Sequence, residues 1–265
     1  MNPPPSSAAR RKNHEEPTLN RSLERGVELL RAFRPGADLL GNGELAERTG
    51  LSRATVSRLA QTLVQCGLLE HDGARRAYRL AAPVLSFAHA MRSGSPVLQV
   101  AAPLMRTAAE KLRVNVGLAV ADREEMVYLE SIRYNRKVSL RSVVAGQRVP
   151  IELTSLGRAY LCAISETQRR GLMARLGQQR ASGWKALREE ILTAVQLFGE
   201  KGYCTASWQP EVVAIAIPIV TPCGAIYVLN MSVTTQQSAL EMEAELSAPL
   251  KTLAGKIADA LRRLE

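Results

Sequence analysis

Between Leu51 and Leu69 apolar residues recur at three- and four-residue intervals, and Val56, Leu59, Leu63 and Cys66 predict one buried stripe of a helix. Ser52 is a helix-capping residue type and Gly67 a stopping one, so both ends are signalled. The opposite face carries Arg53, Thr55, Arg58, Gln61, Thr62 and Gln65, with no Asp or Glu between Leu51 and Leu69. Such a face approaches a polyphosphate without repulsion. Upstream, Asn42 predicts the cap of a short helix through Glu44, Leu45, Ala46 and Arg48 that stops at Gly50. Ser22 predicts the cap of a first helix with Leu23, Val27, Leu30 and Phe33 on one face, ended by Pro35 and Gly36. Two helices joined by a tight Gly-containing turn, the second polar and basic outward, form the arrangement that lays a recognition helix in the major groove. An ordinary helical hairpin is the alternative left open by periodicity alone.

After Gly67, Asp72-Gly73 between two short runs predicts a two-residue hairpin whose second strand holds Tyr78 and Leu80 on one face and Arg75 and Arg79 on the other. Beside a recognition helix, this reads as a basic wing on the DNA backbone. Pro83 predicts the first turn of an amphipathic helix through Val84, Phe87, Ala88 and Met91 to Gly94, either a linker and dimer contact or a helix packed on its own domain. From Pro96 the pattern changes. Helices are expected over Val97 to Leu112, Ser155 to Ala163, Glu166 to Leu176, Trp184 to Lys201 and Leu240 to Leu264. Strands are expected over Val116 to Ala121, Met126 to Ile132, Val138 to Val144, Val212 to Ile219 and Ala225 to Val233. Helices before, inside and after a hairpin-connected sheet indicate an α+β domain. The expected organisation is a disordered Pro- and Ser-rich tail over 1–18, a winged helix-turn-helix over 19–81, a linker helix over 82–95 and a second domain over 96–265.

Charge sharpens the first of these domains. The chain of 265 residues carries a net charge of +10. Met1 to Arg92 contributes 14 Lys or Arg against 9 Asp or Glu, so half of the excess sits in the first third and points to a polyanionic partner. Cys66, Cys162, Cys204 and Cys223 are scattered, without a C-x-x-C pair or a secretory segment, which predicts free thiols in a reducing cytosol. No apolar run is long enough to span a membrane.

An enzyme is the main rival. His14, His71 and His89 all precede residue 90, which leaves the second domain without a Ser-His or Cys-His pair or an H-E-x-x-H metal site. No nucleophile elbow, P-loop or G-x-G-x-x-G occurs. Glu125 and Glu130 read as exposed charges rather than a catalytic pair, and Cys162, Cys204 and Cys223 lack the local spacing of a zinc site. A sensor fits better. Ala145 to Arg158 places Gly and Pro beside Thr154 and Ser155 at a helix start, where free N–H groups and the helix dipole favour a carboxylate. Asn230 and Ser232 alternate with Leu229, Met231 and Val233, putting two polar groups on one face of an apolar strand. Capping residues and an edge-strand face remain the plain alternative for these positions.

From about Leu19 to Leu264 the chain resembles the isocitrate lyase regulator (IclR) family of bacterial transcription factors. The marks are S-L-E-R-G-V-E-L-L from Ser22, E-L-A-E-R-T-G-L-S-R-A-T-V-S-R-L from Glu44 and R-A-Y-R-L from Arg76. Further on they are G-Q-R-V-P from Gly146 with T-S-L-G-R, K-G-Y from Lys201 and A-I-A-I-P-I from Ala214. The resemblance implies a cytoplasmic DNA-binding regulator, a repressor, with a winged helix-turn-helix, a linker helix and a GAF-like α+β effector domain. It implies a homodimer or dimer of dimers, double-stranded operator DNA and a small carboxylic acid as partners, and neither metal nor other cofactor. Ser52, Arg53, Thr55, Ser57, Arg58, Gln61, Thr62, Arg75 and Arg79 are the expected DNA contacts. The family's effector segments fall on Ala145, Gly146 and Leu153, on Ser207 and Ala214, and on Asn230 and Ser232. The chain departs from some members in having Ala206 and Ser207 where acidic residues occur, and Asn230 where serine is common.

Overall fold

The computed structural model describes residues 20–134, 143–180, 182–206, 212–235 and 238–264. The chain divides at Val84 and Leu85 into two compact units.

In the first unit, α1 (Arg21–Arg31) begins at Asn20 rather than at Ser22, because the Asn20 side chain accepts from the backbone N–H groups of Ser22 and Leu23 at 3.1 Å. Its buried positions are Gly26 and Leu29, followed by Ala32 and Phe33, whereas Leu23 and Val27 of the expected stripe are exposed. β1 (Leu40–Gly41) leads into α2 (Asn42–Thr49), α3 (Arg53–Gln65), β2 (Leu69–Asp72) and β3 (Ala77–Leu80), with the short strands ordered β1-β3-β2. Asn42 is the first residue of α2 and not its cap. The Glu44 carboxylate instead reaches back to the Gly41 N–H at 2.9 Å. Gly50 ends α2 at φ +70°, a left-handed conformation that costs a residue without Cβ little. Leu29, Leu40, Leu45, Val56, Ala60 and Leu69 form the core, with Leu59 and Leu63 packed against it. Cys66, expected in that stripe, is the exposed C-cap of α3.

The boundary between units falls within α4 (Pro83–Ser93), none of whose residues is buried. The second unit continues with α5 (Pro96–Leu112), β4 (Asn115–Asp122), β5 (Glu125–Ile132), β6 (Arg148–Pro150), α6 (Ser155–Ala163), α7 (Glu166–Gln179), α8 (Trp184–Lys201), β7 (Cys204–Ala206), β8 (Val212–Val220), β9 (Ile226–Thr234) and α9 (Ala239–Arg262). The expected tail, and residues 138–142 of the strand expected from Val138, lie outside the described residues; Val143 and Val144 are not in a strand. The strands form one antiparallel sheet in the order β6-β5-β4-β9-β8-β7. Helices cover both faces. Val116, Leu118, Ile215, Leu229 and Met231 pack with α5 and α9, while Ala119, Met126, Tyr128, Ala216 and Val228 pack with α6, α7 and α8. Pro218 is tolerated inside β8 because β7 pairs only as far as Ala216, which leaves that stretch of the outer edge without a ladder partner.

Candidate nucleic-acid interface and sensor site

The α3 helix is fixed from within. Val56 and Ala60 are fully buried, and the Ser52 hydroxyl accepts the Thr55 N–H at 3.3 Å and shares a 2.9 Å hydrogen bond with the Thr55 hydroxyl. Ser52, Arg53, Arg58, Gln61 and Thr62 are exposed, and Thr55 and Ser57 half-buried. The first turn carries no acidic residue, so the positive end of the helix dipole is left uncompensated for a phosphate. Not every polar side chain on this face points outward unengaged. The Thr62 hydroxyl donates to the Arg58 carbonyl at 3.0 Å, turning onto its own helix. Among the described residues the Arg58 guanidinium has no ion-pair partner.

The wing differs from the two-residue hairpin expected. Asp72 pairs with Ala77, so the turn is Gly73 to Arg76, with Arg76 at φ +50°. The Asp72 carboxylate closes it by accepting the Arg75 N–H at 3.0 Å. That bond, followed by the charge of Arg79, holds Asp72 below the ordinary carboxylate range. Arg75 is therefore a turn residue and not a strand residue. Arg79 donates to Asp72 at 2.9 Å and lies 3.9 Å from Glu70. Arg75 and Arg79 both line a groove of about 950 Å³ against the Arg34 to Leu40 segment, but Leu80, expected on the opposite face with Tyr78, lines it too and is exposed while Tyr78 is buried. Arg76 faces the other way. It joins Ser57, Gln61, Gln65 and His71 around a cleft of about 520 Å³ between α3 and the wing, and sequence reasoning passed it over. The left-handed turn that aims it is not visible in the residue pattern.

In the second unit a tyrosine that the sequence did not single out lies between the Ala145–Gly146 loop and Asn230. The Gly146 N–H donates to the Tyr128 carbonyl at 2.8 Å and the Tyr128 N–H to the Gln147 carbonyl at 2.9 Å, so the Ala145–Gly146 loop is sewn to β5. The Tyr128 ring crosses Gly117 towards Asn230: a Cβ on Gly117 would overlap both the Asn230 Oδ1 and the Tyr128 ring edge. Gly inside an apolar strand was the available signal of such an approach. Asn230 pairs with Gly117 and Ala216, and Ser232 with Asn115 and Ala214, which puts Ala214, Asn230 and Ser232 in adjacent rows. Burial pushes the Tyr128 hydroxyl up to about 12, with a hydrogen bond from Asn230 opposing it. Tyr128 is thus a neutral O–H donor at pH 7. The Asn230 Oδ1 is buried without a partner among the described residues. Leu153 lies half-buried in the turn leading to α6. Ser207 lies outside the described residues.

The start of α6 is less open than expected. The Thr154 hydroxyl accepts the Gly157 N–H at 3.2 Å and donates to the Pro150 carbonyl, Ser155 to Gly157 are buried, and Gly157 lies against the Ile151 backbone. Glu125 and Glu130 are not the exposed charges expected: both are half-buried, Glu125 paired with Arg148 at 2.7 Å and Glu130 with Arg92 at 2.7 Å. Among the described residues no group of three or more metal-ligating side chains occurs.

A winged helix-turn-helix followed by a helix-covered antiparallel sheet defines a DNA-binding regulator with an α+β sensor domain. The family model of the IclR helix-turn-helix domain matches residues 22–73, and that of the bacterial transcriptional regulator IclR C-terminal domain matches residues 89–259. The chain belongs to the IclR family of transcriptional regulators. It is 32% identical to the HTH-type transcriptional regulator TsaQ1/TsaQ2 of Comamonas testosteroni, over 92% of this chain and 89% of that protein. The crystal structure of an IclR family transcriptional regulator from Brucella abortus superposes with a TM-score of 0.84 at 31% identity, covering 96% and 97% of the two chains. An IclR homologue from Microbacterium hydrocarbonoxydans, solved in complex with 4-hydroxybenzoate, has the same fold, with a TM-score of 0.67 at 24% identity over 91% of this chain and 99% of that one.

Proposed function

We propose that this regulator is a cytoplasmic repressor that reads double-stranded operator DNA through Ser52, Arg53, Thr55, Ser57, Arg58 and Gln61, with Arg75 and Arg76 of the wing on phosphates. The observation that carries the reading is the outward face of α3: polar, basic and free of carboxylates, above a core fixed by Val56 and Ala60. Arg79 is a weaker candidate than the sequence implied, because Asp72 already neutralises it. Thr62 serves α3 itself. The exposed Leu85, Phe87 and Met91 of the linker helix support a homodimer, which would present two recognition helices to a palindrome. Footprinting on the DNA flanking the gene tests this: protection of two half-sites about one helical turn apart is expected. Protection without sequence preference would overturn it.

The effector is proposed to be a small carboxylic acid held between the Ala145–Gly146 loop and Ala214, Asn230 and Ser232, with Tyr128 as a further donor. The neutral Tyr128 and Ser232 hydroxyls supply donors for a carboxylate, and the orphan Asn230 Oδ1 an acceptor for a hydroxyl on the same acid. The 4-hydroxybenzoate in the Microbacterium homologue is an acid of this kind. Leu153 and Ser207 stay in the proposal as wall residues. The capped start of α6 does not.

A further inference from the structure

Cys162 and Cys204, far apart in sequence, meet where α6 packs on the edge strand β7. Their Sγ atoms are 3.5 Å apart, and both thiols are free. Cys204 is buried but lines a cleft of about 490 Å³ with Arg158, Tyr203 and Thr205, and Cys162, outside that lining, is half-buried and keeps part of its surface exposed. Among the described residues no third metal-ligating side chain joins the pair. We propose that Cys162 and Cys204 are a modification site: a small hydroperoxide oxidises them to an intramolecular disulfide that ties α6 to β7.

The order of events follows from the surroundings. The hydrogen bond shared with Cys204, and then the nearby charge of Arg169, hold the Cys162 thiol below its ordinary range; the same bond and burial push Cys204 up. The thiolate is the nucleophile, so Cys162 reacts first. Its sulfur attacks the terminal peroxide oxygen, forming an S–O bond as the O–O bond breaks, and the alkoxide leaves as alcohol after taking a proton. The Cys204 sulfur then attacks the Cys162 sulfur. An S–S bond forms, the S–O bond breaks, and hydroxide departs with the Cys204 proton as water. Two thiols and one hydroperoxide give one disulfide, one alcohol and one water. Closing from 3.5 Å to a bond of about 2.05 Å asks for a movement of side-chain size. A disulfide here fastens the strand whose Ala206 pairs with Ala214; any effect on acid binding rests on the sensor reading above, whereas formation of the bond does not.

The test uses the full chain with the two exposed thiols removed, Cys66→Ser and Cys223→Ser, so that only the pair remains. After a stoichiometric amount of hydrogen peroxide, the protein is denatured, alkylated and weighed. The expected result is loss of both alkylation sites and a reducible cross-linked peptide containing Cys162 and Cys204 from a monomeric chain. Adding Cys204→Ser should leave Cys162 as a sulfenic acid trapped by dimedone. Peptide mapping of the oxidised wild type gives the same reading without the substitutions. Two alkylation sites surviving peroxide, bonds only between chains, or over-oxidation of both sulfurs without a cross-link would overturn the proposal.

Discussion

Single residues carry most of the chemistry, and two glycines show how narrowly. Gly117 leaves the room in which the Tyr128 ring and the Asn230 amide meet, and Gly157 lies against the Ile151 backbone. Gly117→Ala is expected to destabilise the second unit by about 1 to 3 kcal/mol, because a methyl group there displaces buried neighbours on both sides. Denaturant unfolding followed at the tyrosines measures it, and an unchanged midpoint would contradict the assigned approach. Arg58→Ala should weaken operator binding by roughly 1 to 3 kcal/mol if the guanidinium reads a base, with the melting temperature unchanged. A gel-shift titration decides this, and equal affinity would remove Arg58 from the reading face. Of these residues Arg58 was legible in the sequence, since helical period alone turns it away from Val56. Tyr128 was not: its part depends on lying across β4 from Asn230, a neighbour that only the sheet order β5-β4-β9 supplies.

At the scale of elements, period and stop signals located the helices well, while their caps and turns escaped. Three residues at the starts of α1 and α2 explain why. Asn20, Ser22 and Asn42 are all good caps by type, and which of them closes a helix depends on where the preceding chain enters. For α2 the work passes to Glu44, and Glu44→Ala should cost the first unit about 1 kcal/mol, the usual net worth of one hydrogen bond. Thermal melting of the chain and of that variant provides the comparison; identical curves would mean that water serves Gly41 equally well. In the wing the Asp-Gly signal located the hairpin but not its length, because the Asp72 side chain closes a four-residue turn on the Arg75 N–H. The same carboxylate occupies Arg79. Asp72→Asn keeps an acceptor for Arg75 while releasing Arg79, so affinity for specific and random DNA should rise together. The salt dependence should steepen by about one unit of slope for the added phosphate contact. Weaker binding, or an unchanged slope, would place Arg79 away from the duplex.

For the whole molecule, the sequence supports two units and an α+β second unit because the apolar period switches after Pro96 and the strand runs are almost continuously apolar, as burial on both faces demands. The order of strands was out of reach, since β4 pairs with β9 across most of the second unit and no local signal encodes that choice. This order is what gathers the proposed acid site, and so it is where regulation can be tested. An acid can alter DNA affinity only as far as it prefers one arrangement of the protein over another, typically by about 1 to 3 kcal/mol, and DNA must alter acid affinity by the same factor. Ser232→Leu puts a bulky apolar group beside Ala214 and Asn230 and removes one donor, so it should abolish acid binding while leaving acid-free DNA binding intact. Calorimetry with a panel of aliphatic and aromatic acids, on wild type and variant, is the measurement, followed by gel shifts with and without each binder. A binder that the variant holds as tightly as wild type moves the site elsewhere. Binding by uncharged compounds alone replaces the ligand class, and a binder lost in the variant that never changes DNA affinity in wild type separates the site from the switch.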